Sequence, residues 1–364
     1  MKTAIVHGCY NTTNFGDLLL LEIISKYLRE EHHILPKSIR LHPEMELDFC
    51  EMQTQITDTL KPDYAIFGGG GYLHDHGQDG VKKTLRYYIP ARVWKLLGVP
   101  YIVLAPGGGP TCETKTGAKR LKYVLSEASH IALRDSITTQ FARDLGVKRS
   151  DLITTADLAL TIQKTDIPKN RKFDLLGLVG SENISKKKIG FHLELIYSDT
   201  SKFNEFCELP FFKDPSVLEK FHFVFFYDYK TDNEHWVKER LSAITGLSFS
   251  IQTRMNHWVT VDFLRQLDAI ITSKLHVSIV GTAFNVPIFG YSFHEKTKRF
   301  FEEIGRKSFQ SMMNEEISIV NTWVYSLFND EFAAWNHNPE LVTRIKALAN
   351  KNLELLDTYI NYSK

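Results

Sequence analysis

The sequence predicts an α/β protein of two doubly wound domains, each a parallel sheet flanked by helices. Three observations carry that prediction. The 364 residues, 43% hydrophobic and 24% charged, exceed the roughly 250–300 residues that one core usually fills. Short apolar runs alternate with helix-length amphipathic segments in both halves, the pattern of right-handed strand–helix–strand crossovers. Between the halves, from about Gln163 to Phe173, the stretch KTDIPKNRK loses apolar periodicity and sets a proline among charges, as a linker does.

The first domain is accordingly placed at residues 1–165 and the second at 173–310, with helices over 311–364. In the first, Thr3–His7, Tyr64–Phe67, Tyr101–Ala105 and Ile131–Leu133 read as strands, and Asp151–Leu160 closes the series. A helix from Asp17 to about Leu28 follows the first strand. In the second, Lys188–Leu193, Phe221–Tyr227, Leu247–Gln252, Ala269–Thr272 and Val286–Tyr291 read as strands, with helices over Glu234–Ala243 and Thr297–Ile304. Leu341–Ile360 is a long amphipathic helix able to cross back onto the first domain.

A formal net charge of +1 implies no broad cationic face for nucleic acid, so any anion is bound locally. Cys9, Cys50, Cys112 and Cys207 are scattered, with no zinc-type spacing and no disulfide framework, which fits a reducing, cytoplasmic setting. The amino terminus turns at once from Ile5 and Val6 into HGCYNTTNFGD, a first strand rather than a signal peptide. Leu18–Ile24 is interrupted by Glu22 and falls short of the ~20 residues that span a bilayer. A peripheral membrane contact stays open, as does the oligomeric state.

Ligands of open parallel sheets sit beyond the carboxyl ends of the strands, so the loops there decide function. Gly68–Gly71 and Gly107–Gly109 follow two of the strands. Glycine lets backbone amides approach an anion, which makes Gly69, Gly70 and Gly108 candidate ligand contacts, although close packing needs glycine equally well. The loop after the first strand holds Asn14, a candidate substrate contact, and Asp17, readable as a helix cap or as a base or hydroxyl-binding carboxylate. Arg134 ends another strand, where its planar fork suits a phosphate or carboxylate. Asp157 stands at the last strand end, as a cap or as a further carboxylate at the mouth.

In the second domain a buried strand runs into Ser273-Lys274-Leu275-His276. Helix dipole, ammonium and imidazole meet there: Lys274 attracts an anion and His276 can trade a proton near neutral pH. The cluster His74-Asp75-His76 lacks the spacing of a metal site, and Lys186-Lys187-Lys188 reads as a solvated turn.

With NFGD at Asp17, FGGGG, APGGGP, LRDS at Arg134, ADLAL at Asp157 and SKLHVSIVGTAFNVPIFGYSFHEKTKRFFEEIG, the chain resembles the polysaccharide pyruvyltransferase family from strand one to Gly305. The resemblance implies two Rossmann-like domains facing a cleft, as in glycosyltransferase-B-like folds. It implies transfer of the enolpyruvyl unit of phosphoenolpyruvate onto two sugar hydroxyls of a polysaccharide, glycan or lipid-linked oligosaccharide as a pyruvate ketal. No metal and no separate cofactor are expected. By resemblance His276 is the general acid, Asp17 orients or deprotonates the acceptor hydroxyl, and Arg134 and Lys274 grip the donor. The family's arginine before Leu-His is Lys274 here, which keeps the charge and gives up the fork. The other readings are a glycosyltransferase of the same fold using a nucleotide sugar, with Glu295 toward the ribose, and a non-catalytic anion-binding homologue. Acceptor selection is expected in the aromatic-rich segment Glu194–Pro215, and the site of action in the cytoplasm, at the inner face of the membrane for a lipid-linked acceptor.

Overall fold

The computed structural model describes residues 1–362 apart from 40, 43–44, 53–58, 78, 229–232, 293, 313–314 and 330–337. The chain forms two compact units, Met1–Thr161 with Ile345–Lys364, and Ile162–Arg344.

The first unit is built on a seven-stranded sheet: β1 (Thr3–His7), β2 (Leu35–Ser38), β3 (Glu51–Met52), β4 (Tyr64–Phe67), β6 (Tyr101–Leu104), β8 (His130–Leu133) and β9 (Leu152–Thr154). Its spatial order is β3-β2-β1-β4-β6-β8-β9, with every pairing parallel. Strands such as YAIF and YIVL are buried at every residue, as a sheet covered on both faces requires. The strand order reverses at β1 and β4, the point where crossovers leave in opposite directions and a crevice opens beyond the carboxyl ends.

β5 (Gly70–Leu73) and β7 (Pro106–Gly108) pair with each other in parallel, with Gly70 opposite Pro106 and Leu73 opposite Gly108. The segments expected as free glycine loops are thus a small second sheet. The remaining differences are local. Leu35–Ser38 and Glu51–Met52 carry too little apolar alternation to read as strands, and Asp151–Leu160 divides into β9 and a 3₁₀ turn at Leu158–Thr161. The linker-like stretch holds two further 3₁₀ turns, at Lys164–Asp166 and Lys169–Arg171.

Helix α1 (Phe15–His32) buries an almost continuous apolar run, and Glu22 within it is fully buried. Its carboxylate accepts the backbone N–H groups of Asp48, Phe49 and Cys50 at 2.9–3.1 Å. The charge that interrupts the apolar stretch therefore fastens the segment leading into β3. Helices α2 (Gly80–Leu96), α3 (Lys115–Ser126) and α4 (Ser136–Asp144) complete the crossovers. Asp75 is buried and accepts the backbone N–H groups of Glu113 and Thr114 at 2.6 and 2.8 Å, so it holds the turn before α3.

The second unit repeats the plan with six parallel strands: β10 (Lys187–His192), β11 (Phe221–Phe226), β12 (Phe249–Gln252), β13 (Ala269–Thr272), β14 (Ile288–Ser292) and β15 (Gln310–Met312). Their order is β12-β11-β10-β13-β14-β15, reversing at β10 and β13. Phe203, Phe206, Phe211 and Phe212 are fully buried in its core against Phe191, Phe223 and Phe225. The aromatic character of Glu194–Pro215, expected to select the acceptor, is spent on packing.

The last helix, Pro339–Tyr362, delivers Ile345 onward to the first unit. Asn352 is fully buried there, its amide donating to the Ala156 carbonyl at 3.0 Å and accepting the Thr155 hydroxyl at 2.9 Å. The Tyr359 hydroxyl accepts the Ala65 N–H at 3.0 Å and donates to the Pro100 carbonyl at 2.8 Å. Among the described residues no helix is long and apolar enough to cross a membrane. Tyr359→Phe strands both backbone groups and should cost about 1–3 kcal/mol of stability in urea unfolding; an unchanged midpoint would show that the hydroxyl contributes nothing.

Candidate functional site

Asp17 in the first unit and Lys274 and His276 in the second stand where the strand order reverses, whereas Arg134 and Asp157 lie farther along the first sheet, at the ends of β8 and β9. In the first unit, the loop leaving β1 ends in Asn14, whose side-chain oxygen accepts the N–H groups of Gly16 and Asp17 at 3.0 and 3.4 Å. Asn14 is therefore the cap of α1, and capping leaves Asp17 in the first turn, half-buried. From β4 the chain passes Gly68 and Gly69, where a Cβ would meet the Tyr10 hydroxyl at 2.1 Å and Leu20 at 3.0 Å. Close packing explains both. Gly70 differs: its φ of +117° disfavours other residues, and a Cβ there would lie 3.0 Å from Asp17 Oδ1. The bare backbone at Gly70 thus makes room for the Asp17 carboxylate.

Asp17 also lines a cavity of about 550 Å³ with Cys9, Asn11 and Thr12 from the β1 loop and one face of α2. The Cys9 thiol is pushed up by burial and by the Asp17 charge, against a hydrogen bond to Tyr87 and the positive charges of Arg86 and Lys83. Opposite charges therefore face each other at this strand end.

Arg134 leaves β8 with its guanidinium over Gly107, where a Cβ would lie 2.0 Å from Nη2. The glycine is needed for that approach. The side chain is 8% exposed, 3.4 Å from Asp157 Oδ2 and 3.8 Å from Asp135 Oδ2. Asp157, 4% exposed, also accepts the Ala159 N–H at 3.0 Å. It caps the following turn, as one reading of its sequence context has it, and it also pairs with Arg134, a contact the sequence does not show. The Gly108 N–H is held by Thr138 Oγ1 at 3.0 Å, so that amide serves the fold rather than an anion.

In the second unit, Ser273 is buried and directs its N–H and hydroxyl to the His192 carbonyl, at 2.8 and 3.3 Å. Lys274 precedes the helix Leu275–Ala283 and His276 stands in its first turn, half-buried. The Lys274 ammonium lies 3.0 Å from both oxygens of Asp228, which follows β11. Asp228 Oδ1 is also 3.1 Å from Nε2 of the fully buried His192, whose Nδ1 is 3.3 Å from Thr272 Oγ1. The Lys274 N–H donates to that same Thr272 oxygen at 3.0 Å. A closed ring of contacts therefore joins the ends of β10, β11 and β13. An Nε2 proton on His192 satisfies every contact in it.

Burial raises the Asp228 pKa, but the charges and hydrogen bonds of His192 and Lys274 outweigh it and hold the carboxyl far below its usual range. Close by, His294 precedes the helix Glu295–Glu303. It is pushed down by burial and by the positive charges of Lys296 and Lys274. Neither Lys274 nor His294 caps its helix through a side chain. Two helix amino termini and an ammonium thus stand at neighbouring strand ends, an arrangement that favours anions.

The model of the family described as polysaccharide pyruvyl transferase matches residues 14–295, from the cap of α1 through His276 to the first residue of the helix after β14. The chain belongs to the polysaccharide pyruvyl transferase family. No curated protein sequence matches it. Among solved structures it is similar to the UDP-GlcNAc 2-epimerase of Methanocaldococcus jannaschii, with a TM-score of 0.63 at 10% identity over 98% of this chain and 100% of that one. The S. aureus MnaA–UDP co-structure gives 0.60 at 12% identity, covering 100% and 97%. The Neisseria meningitidis UDP-GlcNAc 2-epimerase bound to UDP-GlcNAc gives 0.59 at 10%, covering 99% and 100%. At these identities the likeness is one of fold: two Rossmann-like domains of the glycosyltransferase-B-like kind.

In this pyruvyl transferase family member the lysine before Leu-His has a carboxylate of its own. Asp228 and His192 escaped the sequence reading, although an acid directly after the apolar strand FHFVFFY was a usable signal. Removing one partner of a buried pair exposes the other to an uncompensated burial cost. Lys274→Met should therefore destabilise the protein by about 3 kcal/mol at pH 7, and adding Asp228→Asn should recover most of the loss. Because the folded-state pKa of Asp228 is depressed, its contribution is complete well above the unfolded value of about 3.9 and is lost as pH falls through the lower folded value. Urea midpoints from pH 7 to pH 2 check this: the gap between wild type and Lys274→Met should hold down to about pH 4 and narrow below it.

Proposed function

We propose that this protein transfers the enolpyruvyl unit of phosphoenolpyruvate to two hydroxyls of a sugar, forming a pyruvate ketal and releasing phosphate. What carries the proposal is the pairing of His276 with an anion-favouring helix terminus in one unit and of Asp17 with an open cavity in the other, within a chain of this family. The acceptor is a glycan or its lipid-linked precursor, met in the cytoplasm at the inner face of the membrane.

The reaction balances on these residues. A proton goes to the methylene carbon, giving the methyl group, and His276 is its donor. The first acceptor hydroxyl bonds to the neighbouring carbon and gives up its proton, with Asp17 orienting or receiving it. The bond to phosphate then breaks, and the second hydroxyl closes the ketal. Of the two acceptor protons, one is retained on the methyl group and one leaves with phosphate. His276 is reset by the proton that Asp17 or the second hydroxyl yields.

Arg134 and Lys274 serve the phosphate and carboxylate of the donor, each held in place by a buried acid, Asp157 and Asp228. An ammonium paired with a carboxylate offers an anion a directed N–H more than a net charge. The helix termini beside it supply the remaining attraction.

The test is phosphate release from phosphoenolpyruvate across a panel of glycans. Release should depend on acceptor and fall about 10²–10⁴-fold in His276→Ala, with the Tm of the protein unchanged. Acceptor-independent release, or full activity in His276→Ala, would overturn the proposal. A thermal shift with UDP-sugars in place of phosphoenolpyruvate would favour a glycosyltransferase instead.

A further inference from the structure

Helices α2 and α3 lie side by side on the first sheet and run in the same direction. The Arg120 guanidinium donates to the Val81 carbonyl at 2.7 Å, Tyr88 meets Tyr123 edge to face at 5.3 Å, and Lys95 pairs with Glu127 at 2.8 Å. Charge is concentrated here. Residues 79–127 hold nine lysines and arginines against three acids, a net charge of +6 in a chain whose total is +1. The rest of the chain is therefore net negative. Two of the nine cations are answered locally, Lys82 by Asp79 at 3.3 Å and Lys95 by Glu127. The outer face is carried by others, Arg86 and Arg92 on α2 and Lys115, Lys119 and Lys122 on α3, all exposed. Arg92 is steadied over the rings of Tyr88 and Tyr123, at 5.8 and 5.5 Å.

Aliphatic side chains stand among these cations. Ile89 and Leu96, two turns apart on one side of α2, are 54% and 75% exposed, and Leu97 just beyond the helix is 46% exposed. Charge alone would suit any polyanion, but exposed aliphatics gain nothing from nucleic acid or free phosphate. A lipid surface uses both: the aliphatics enter the headgroup boundary, while the long lysine and arginine stems reach the lipid phosphates. We propose that the outer face of α2 and α3 docks on a bilayer carrying anionic phospholipid. Arg86 and Ile89 also line the cavity beside Asp17, so docking brings that cavity to the lipid surface. The assignment does not rest on the pyruvyl-transfer reading, because vesicle binding is read without turnover.

The experiment is flotation of the full chain with vesicles of phosphatidylcholine, alone or with about 30% phosphatidylglycerol. Partition onto the anionic vesicles should be at least tenfold stronger and should weaken as salt is raised. Lys115→Glu/Lys119→Glu/Lys122→Glu should lower it tenfold or more, and Leu96→Ser/Leu97→Ser should lower it severalfold. Lys169→Glu/Lys202→Glu/Lys238→Glu changes the net charge equally at exposed positions of the second unit, and should leave most of the binding in place. Unchanged urea midpoints confirm that each variant folds. Equal binding to both vesicles, no binding to either, full binding in the α3 variant, or an equal loss in the second-unit variant overturns the assignment. So does duplex DNA that competes as well as anionic vesicles do, which would make the face a nucleic-acid site.

Discussion

A parallel sheet whose strand order reverses leaves one gap that no crossover helix covers, and both large sheets of this protein reverse. In the first unit the reversal falls between β1 and β4, in the second between β10 and β13. Those strand ends release Asp17 and the turn at Gly70 in one unit, and Lys274 and His276 in the other. Asn14 caps α1 so that Asp17 enters a first helical turn, and Gly70 clears the space its carboxylate occupies; farther along the sheet, Gly107 does the same for the Arg134 guanidinium.

Charge at the strand ends of both units is held in compensated form. Arg134 is paired with Asp157, and Lys274 with Asp228 and through it with His192. A buried pair of this kind adds little net stability, since desolvation offsets the attraction, but it fixes where the cation sits. The exchange of arginine for lysine at position 274 is intelligible in those terms. A guanidinium orients itself by its own planar fork, whereas an ammonium has no preferred plane and is oriented here by a carboxylate from the end of β11, on the far side of β10.

Much of this was legible in the sequence. The strands Thr3–His7, Tyr64–Phe67 and Ala269–Thr272 match the structure to the residue, because fully buried parallel strands are continuous apolar runs. The glycine segments were found but misread, since a pairing between Gly70–Leu73 and Pro106–Gly108 joins residues far apart in the chain. The same distance hid Asp228 and His192 from Lys274. The aromatics of Glu194–Pro215 misled for another reason: periodicity shows that a segment is apolar, not which partner covers it. Asn14, Gly108 and Ser273 stand at strand ends and each makes an internal hydrogen bond there, and at Gly69 a side chain would press on Leu20.

The account turns on protonation of a methylene carbon at the end of a parallel strand. The measurement that reaches it most directly is transfer run in deuterated water, with the product methyl group observed by NMR. The account predicts a pyruvate ketal whose methyl carries one deuterium, formed with one equivalent of phosphate. A product that retains the vinyl group, or phosphate released with no ketal formed, would contradict it.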